Sequence, residues 1–206
     1  MSQVKDILDS IKHRLPDRTN IYPSLNRAIR LINKRLFYHQ SSMIQGALSV
    51  TIAAGASTGS LPSDFWGLLE NPYENGETYA LKPLPNQETG LVYNTDSTPY
   101  YFKITGTTIN LYPGSTAGTT INGAYWAKPT ALTKMSDTLP FNELFDDAIE
   151  EVLIQIYTVE KPVDLGVIRE FLYAEVDAVV PYIDRIAPTR IPDNLHFNSL
   201  TESGGW

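Results

Sequence analysis

The chain has 206 residues, a mass of 23.0 kDa and a formal net charge of −7 at pH 7. This length fits one domain with appendages, and a hydrophobic share of 42% supports a packed core, which excludes disorder of the whole chain. The absence of cysteine excludes a disulfide scaffold, a thiolate metal site and a cysteine nucleophile. With no long apolar run and a polar N-terminus, we expect a soluble globular protein made in the cytoplasm.

The charge is distributed as a gradient along the chain. Residues 1–40 carry a net charge of +5, residues 41–136 carry −2 and residues 137–206 carry −10. The two ends neutralise each other inside a compact fold, or a positive face of one subunit stacks on a negative face of the next. The sequence leaves both arrangements open. An acidic pI near 4.9 argues against a general nucleic-acid coat.

Two helices are predicted at the beginning of the chain. Apolar residues recur at helical spacing in the first, which ends at Pro16: Val4, Ile7, Leu8, Ile11 and Leu15. The second begins near Pro23 and Ser24 and has one apolar side: Leu25, Ala28, Ile29, Ile32 and Leu36.

Strand signals follow from Gln45. Leu48, Val50 and Ile52 alternate with small or polar residues, which predicts a half-buried strand. The segment 53–60 has turn composition, and further strands are predicted around 68–71, 78–84 and 119–128. Residues 100–104 and 108–112 flank Thr105-Gly106-Thr107 and predict a hairpin. Six short strands of this kind are typical of a small antiparallel sandwich or barrel.

Helical periodicity returns after Pro140. The first late helix has an apolar stripe from Leu144 to Tyr157 that is wider than one partner helix would cover. Pro162 separates it from a second late helix, whose end Pro181 should kink or fray. We therefore predict an α+β fold, in which the N- and C-terminal helices form an α-helical bundle with an inserted small antiparallel β-sandwich or barrel and an extended C-terminal tail. Its parts are the N-terminal helices (1–44), the inserted β-module (45–139), the C-terminal helices (140–185) and an extended C-terminal arm (186–206).

Motifs for catalysis are missing from the sequence. The three histidines lie far apart, and neither a phosphate-binding loop nor a nucleophile elbow is present. The densest acidic set has helical spacing: Glu143, Asp146, Asp147, Glu150 and Glu151. It fits a magnesium or calcium site, but also the acidic first turns of a solvated helix. We predict no enzymatic activity and no cofactor.

Two other groups of residues are candidates for contacts. Arg27, Arg30 and Lys34 share one face of the second helix, which either binds an acidic partner or is simply solvated. The C-terminal arm carries scattered apolar residues that favour docking on another chain: Ile191, Leu195, Phe197, Leu200 and Trp206. Aromatic residues are concentrated in the β-module, where they serve as core, as an interface or as a carbohydrate-binding surface.

The order of several short motifs resembles a known family. They are the paired N-terminal helices with the stretch 26–33, Leu61-Pro62-Ser63-Asp64-Phe65, Tyr100-Tyr101-Phe102, Ile109-Asn110-Leu111-Tyr112-Pro113, Tyr125-Trp126 with Leu132-Thr133, and Leu139-Pro140-Phe141. In this order, over about residues 1–185, the chain resembles the head-to-tail adaptor (connector) proteins of tailed bacteriophages, particularly those of short-tailed phages.

The resemblance implies a structural protein of the virion neck, assembled in the host cytoplasm. Such adaptors form a dodecameric ring beneath the portal, extend the DNA channel and offer a platform for tail, nozzle or tail-fibre proteins. DNA would pass through without specific binding, and no membrane is involved. The arm residues Ile191 to Trp206 would then dock on the portal or a neighbouring subunit, and Glu143, Asp147, Glu150 and Glu151 would line an acidic channel.

Two other functions compete with this interpretation. A carbohydrate-binding accessory domain of a tail fibre or cell-surface protein would place the aromatics on an exposed platform. A metal-dependent hydrolase would use the carboxylates of 143–151.

Overall fold

The protein has an α+β fold with mostly antiparallel sheets. The computed structural model describes residues 2–15, 20–85, 98–141, 143–158 and 164–186. The α-helices of these parts are α1 (Val4–Ile11), α2 (Tyr22–Tyr38), α3 (Asp146–Thr158) and α4 (Leu165–Ile186). The strands are β1 (Gln45–Ile52), β2 (Thr58–Ser60), β3 (Phe65–Leu68), β4 (Tyr73–Glu74), β5 (Lys82–Pro83), β6 (Tyr101–Thr105), β7 (Thr108–Tyr112) and β8 (Thr119–Ala127).

The helices pack around one hydrophobic core. Helix α3 contacts α1, α2 and α4, and α2 also contacts α4. The predicted apolar side of α2 is confirmed, because all five of its residues from Leu25 to Leu36 are buried. Helix α1 ends at Ile11 and a short 3₁₀ turn follows, so it is shorter than predicted. Residues outside the helices complete this core: Ile44, Trp126, Leu132, Leu139 and Phe141.

The strands form two sheets around a second core. One sheet has the order β1-β8-β3 with β4 also paired to β8, and the other has the order β2-β7-β6-β5. Leu48 and Val50 of the first sheet share a buried cluster with Phe102 and Ile109 of the second. The predicted antiparallel pairing is confirmed for most strands, but at one edge β5 runs parallel to β6. Pro83 has no N–H to donate, which suits an edge position.

Sequence periodicity located the long strands but not the short ones. The alternation in β1, the strand β8 and the β6–β7 hairpin are confirmed. Strand β2, however, lies in the segment predicted as a turn. A Cβ on its Gly59 would come within 2.4 Å of Val50 Cγ1, so only glycine fits this close approach. Because glycine is typical of turns and not of strands, the sequence does not indicate a strand here. Strand β3 lies upstream of its predicted position, and the strand predicted at 78–84 is reduced to Lys82–Pro83.

Strand β8 connects the two cores. Neighbouring side chains of a strand point to opposite faces. Tyr125 accordingly belongs to the core between the sheets, whereas Trp126 belongs to the helical core. The two cores are thus held by consecutive residues of one strand.

The predictions for the two late helices have different outcomes. The stripe of α3 is largely covered within the chain, because Phe145, Ile149 and Leu153 are buried against neighbouring elements. The prediction that the stripe is wider than one partner helix would cover is confirmed, because α3 contacts α1, α2 and α4 of the same chain. Helix α4 runs through Pro181 to Ile186 rather than fraying at the proline. A proline so close to the C-terminus removes only one late helical hydrogen bond.

Candidate functional site

Three of the motifs that carry the family resemblance meet where the helices join the strands: the stretch 26–33, Leu61-Pro62-Ser63-Asp64-Phe65, and Tyr125-Trp126 with Leu132. The side chain of Asn26 on α2 donates to the Leu132 carbonyl at 2.8 Å and accepts from the Leu132 amide at 2.8 Å. Two turns further along α2, the buried Asn33 donates to the Ala127 carbonyl at 3.4 Å. These amides satisfy backbone groups of the segment that leaves β8, which is why polar residues lie on the inner side of α2. Their role is to hold the helix against the end of the sheet.

The Leu61-Pro62-Ser63-Asp64-Phe65 motif contacts the same end of the sheet. Tyr125 Oη donates to Asp64 Oδ1 at 2.9 Å, and the Lys128 amide donates to the Asp64 carbonyl at 2.6 Å. Burial together with this hydrogen bond raises the pKa of Tyr125 to about 12. The tyrosine therefore stays protonated across the physiological range and acts as a structural donor.

An aromatic cleft opens beside this junction. Phe37 stacks on Trp66 at 4.5 Å between ring centroids and meets Trp126 edge-on at 5.4 Å. With Lys34, Tyr38 and Gln40, these rings line an open cleft of about 420 Å³. Trp66 is exposed and Trp126 is buried, so the cleft is an outward extension of the helical core.

An ion-pair cluster joins α2 to α4 next to this cleft. Arg35 makes a two-point contact with Asp177, with Nε to Oδ1 at 2.6 Å and Nη2 to Oδ2 at 2.5 Å. His39 Nε2 lies 2.7 Å from the same Oδ1. The hydrogen bonds from Arg35 outweigh desolvation and lower the pKa of Asp177 to about 2, and those to Asp177 raise the pKa of Arg35. The guanidinium also lies over the rings of Tyr38 and Tyr173.

The predicted basic face lies on the outside of the molecule. Arg27, Arg30 and Lys34 are all exposed along α2, on the side opposite its buried residues. None of the three forms a salt bridge with another described residue. The shared face is confirmed, and its role in contacts stays a prediction.

Four of the predicted acidic residues lie in the first two turns of α3, but Glu143 precedes the helix in a left-handed backbone conformation, so the helical spacing predicted for the set is wrong at Glu143. Glu143, Asp147 and Glu151 are exposed, whereas Glu150 is partly covered and accepts a hydrogen bond from Ser10 on α1. Gln155 Nε2 donates to Glu151 at 3.0 Å. Within the described residues, no group of three or more His, Asp or Glu side chains is arranged to hold a metal ion. The predicted arm residues, Ile191, Leu195, Phe197, Leu200 and Trp206, lie outside the described part of the chain.

A family model matches almost the whole chain. The match is to the SU10 adaptor protein family and covers residues 2–187. The chain belongs to this family. It is a phage head-to-tail adaptor family, so the protein is a structural component of a phage virion. No curated protein matches the chain.

Residues of the motifs that carry the resemblance lie at the internal junction of the adaptor. Asn26, Asp64 and Tyr125 make their contacts inside the molecule, where they maintain the junction of helices and strands. Among the helices of the described ranges, none is long and apolar enough to span a bilayer.

Two features of the adaptor escaped the sequence analysis. Asp177 lies 142 positions from Arg35, and Trp66 is far from Phe37 in sequence although their rings stack. No local pattern relates such distant residues. The only sequence signal was the opposite net charge of the two ends of the chain. The Arg35–Asp177 ion pair neutralises part of that charge within the molecule.

Proposed function

We propose that the adaptor assembles as a dodecameric ring beneath the portal, where it extends the DNA channel and provides an attachment platform for tail components. The observation that carries this proposal is the family match over residues 2–187. The role is structural and involves no catalysis. Assembly takes place in the host cytoplasm, and the finished ring is part of the head–tail neck.

In this proposal the two ends of the chain form a helical bundle that builds the ring, and the strands form an inserted β-module that faces outward or toward the tail. The separate hydrophobic cores of helices and strands support such a division of labour. Exposed helix faces on α2 and α4 also support it, because a ring subunit must meet a neighbour on each side.

The exposed carboxylates of α3 are candidates for the channel lining. An acidic lumen repels DNA phosphates, so the DNA can pass without being gripped. Glu143, Asp147 and Glu151 are exposed, and Glu150 lies beside them. The C-terminal arm, 186–206, is a candidate for docking on the portal through its apolar residues.

The ring proposal is tested by mixing the adaptor with the purified portal of the same phage and measuring complex masses by mass photometry. Twelve copies of a 23.0 kDa chain would add about 276 kDa to the portal. A variant that ends at residue 186 tests the arm and should bind the portal more weakly. Binding to a glycan array with no binding to the portal would overturn the proposal in favour of a carbohydrate-binding domain.

The channel lining is tested by charge reversal and cryo-electron microscopy of the assembled neck. Asp147→Lys with Glu151→Lys should leave the ring intact but slow DNA ejection, since a basic lumen attracts phosphates. Glu70→Lys is the matched control on an exposed position of the strand region and should eject DNA normally. Finding these α3 side chains outside the channel would refute the lining.

A further inference from the structure

The aromatic cleft at the C-terminal end of α2 exposes a contiguous apolar surface. Phe37 is 38% exposed, Trp66 is 39% exposed and Tyr38 is 72% exposed. Trp126, which also lines the cleft, belongs to the helical core and is held in place by it. Exposed apolar patches mark interaction sites, and Trp and Tyr are enriched among the residues that carry binding energy. The cleft is therefore a candidate docking site.

The basic face of α2 continues this cleft toward the N-terminus of the helix. Lys34 lines the cleft, and Arg30 and Arg27 follow one and two turns away on the same exposed side. None of the three forms a salt bridge with another described residue. From Phe37 to Arg27 this surface is about 15 Å long, at 1.5 Å per residue. It fits an extended segment that has an apolar anchor at one end and an acidic residue near the other.

The C-terminal arm, 186–206, has this composition. Residues 191–206 contain two acidic residues and no lysine or arginine. Phe197 precedes Glu202 by five residues, which span about 16 Å in an extended chain at 3.3 Å per residue. The spacing of this aromatic and acidic pair thus matches the distance from the cleft to Arg27.

Helices α2 and α4 run side by side in the same direction. The Arg35 guanidinium lies over the Tyr173 ring, and one turn later on both helices His39 contacts Asp177 at 2.7 Å. The 3₁₀ turn Ser42–Ile44, which follows α2, also contacts α4. The C-terminal end of α4 therefore lies at the same end of the helical core as the aromatic cleft.

The arm is long enough to reach the cleft of its own chain. Helix α4 continues beyond Asp177 for about 14 Å before it ends at Ile186. Because Asp177 contacts His39, which is adjacent to the cleft residue Tyr38, the end of α4 lies within about 30 Å of the cleft. The chain from Ile186 to Phe197 spans about 36 Å when extended. Such a tether gives a local concentration on the order of millimolar, which favours the cleft of the same chain over that of another copy.

We infer that the C-terminal arm of the free adaptor binds the aromatic cleft of its own chain. Phe197 lies against Trp66, and Glu202 lies beside Arg30. One segment then covers the exposed rings and neutralises the basic face. The inference goes beyond the proposed function, because it concerns the subunit before it meets the portal. Since the same arm is a candidate for docking on the portal, the portal and the cleft compete for it.

Acrylamide quenching of tryptophan fluorescence in the full chain tests this contact. Trp206→Phe removes the tryptophan of the arm and is the reference, in which Trp66 reports on the cleft while Trp126 is buried. Adding Phe197→Ser to the reference should raise the quenching constant about twofold, because Trp66 is then no longer shielded from water. Leu144→Ser, at an exposed apolar position before α3, is the matched control and should leave quenching unchanged.

An exchange of charges tests the contact on the basic face. In the reference, Arg30→Glu and Glu202→Lys should each raise the quenching of Trp66, because like charges then face each other. Combining the two substitutions should restore the protection of Trp66, since opposite charges face each other again. Thermal melting of each variant checks that it is folded. A merely destabilised variant would not be rescued in this way.

Three results would overturn the inference. Equal quenching of the reference and the Phe197→Ser variant would show that the arm leaves the cleft open. A double variant that fails to recover would refute the contact between Glu202 and Arg30. Quenching that rises on dilution would show that the arm comes from another copy. Because the portal takes no part in these measurements, they leave the ring proposal to its own test.

Discussion

Helices α3 and α4 share an apolar periodicity in their sequences but differ in what surrounds them. Both carry apolar residues at helical spacing over their whole length. Helix α3 lies among α1, α2 and α4, so its apolar side is covered and its open side is acidic. Helix α4 has its inner side covered and presents a second apolar side to the outside. Amphipathic periodicity thus predicts that a helix is covered but not by which chain.

The largest effect on the free energy of unfolding is expected from substitutions on the buried sides of α3 and α4. Ile149→Ala on α3 and Leu172→Ala on the inner side of α4 each remove a fully buried side chain and should lower the free energy of unfolding by about 2–5 kcal/mol. Urea denaturation of the free subunit measures both. A small loss at Leu172 would show that α4 is only loosely attached and that its inner side is not covered as α3 is.

An intermediate effect is expected at the seam between α2 and α4. Asp177→Asn removes the negative charge and one of the two acceptor oxygens that face Arg35 and His39, and should cost about 1 kcal/mol at pH 7, a modest value because the pair is partly exposed and screened. Since the folded-state pKa of Asp177 is about 2 and its ordinary value is 3.8, this stabilisation is present above pH 3.8 and is lost as the pH falls toward 2.

Denaturation at neutral and acidic pH measures this difference. The gap between wild type and Asp177→Asn should close on acidification. Asp9→Asn is the matched control, since Asp9 pairs with Lys12 at 3.0 Å on a well exposed surface and should have little effect at either pH. A gap that persists at pH 2 would mean that the seam is held by packing rather than by the ion pair.

The smallest effect on the free subunit is expected on the outer side of α4. Val167→Ser with Tyr182→Ser should change the free energy of unfolding by no more than about 0.5 kcal/mol, because both side chains are exposed. The same variant should assemble more weakly on the portal, as light scattering or mass photometry would show. Leu69→Ser, an exposed apolar position in the strand region, is the control. An equal loss of assembly in both variants would show that the outer side of α4 has no special role in assembly.

Features that depend on contacts between residues close in sequence were predicted correctly, whereas features that depend on distant contacts were not. The apolar side of α2 and the hairpin around Gly106 depend on neighbouring residues, and both were predicted correctly. Strand β2 was missed because Gly59 replaces the expected apolar residue where β1 packs closely. Most strands pair antiparallel as predicted, but the parallel pairing of β5 with β6 was missed, since no local pattern relates strands that are distant in sequence.

For the candidate surfaces too, local spacing was predictive and contacts between distant elements were not. The basic residues of α2 were recognised from their spacing, because one helix places them on one face. The cover on α3 could not be predicted, since it comes from three helices that only the tertiary fold brings together. Likewise, Asp177 is opposite Arg35 only because α2 and α4 pack side by side.

The anchoring of strand β8 in both cores affects how force passes through a protein that joins two large assemblies. Because Tyr125 and Trp126 are bonded neighbours anchored in different cores, a force applied to the strands reaches the helices across a single peptide unit. No flexible hinge lies between these two anchors to absorb the load. We expect the two cores to melt in one cooperative step and to transmit strain as a rigid body when the neck is under tension.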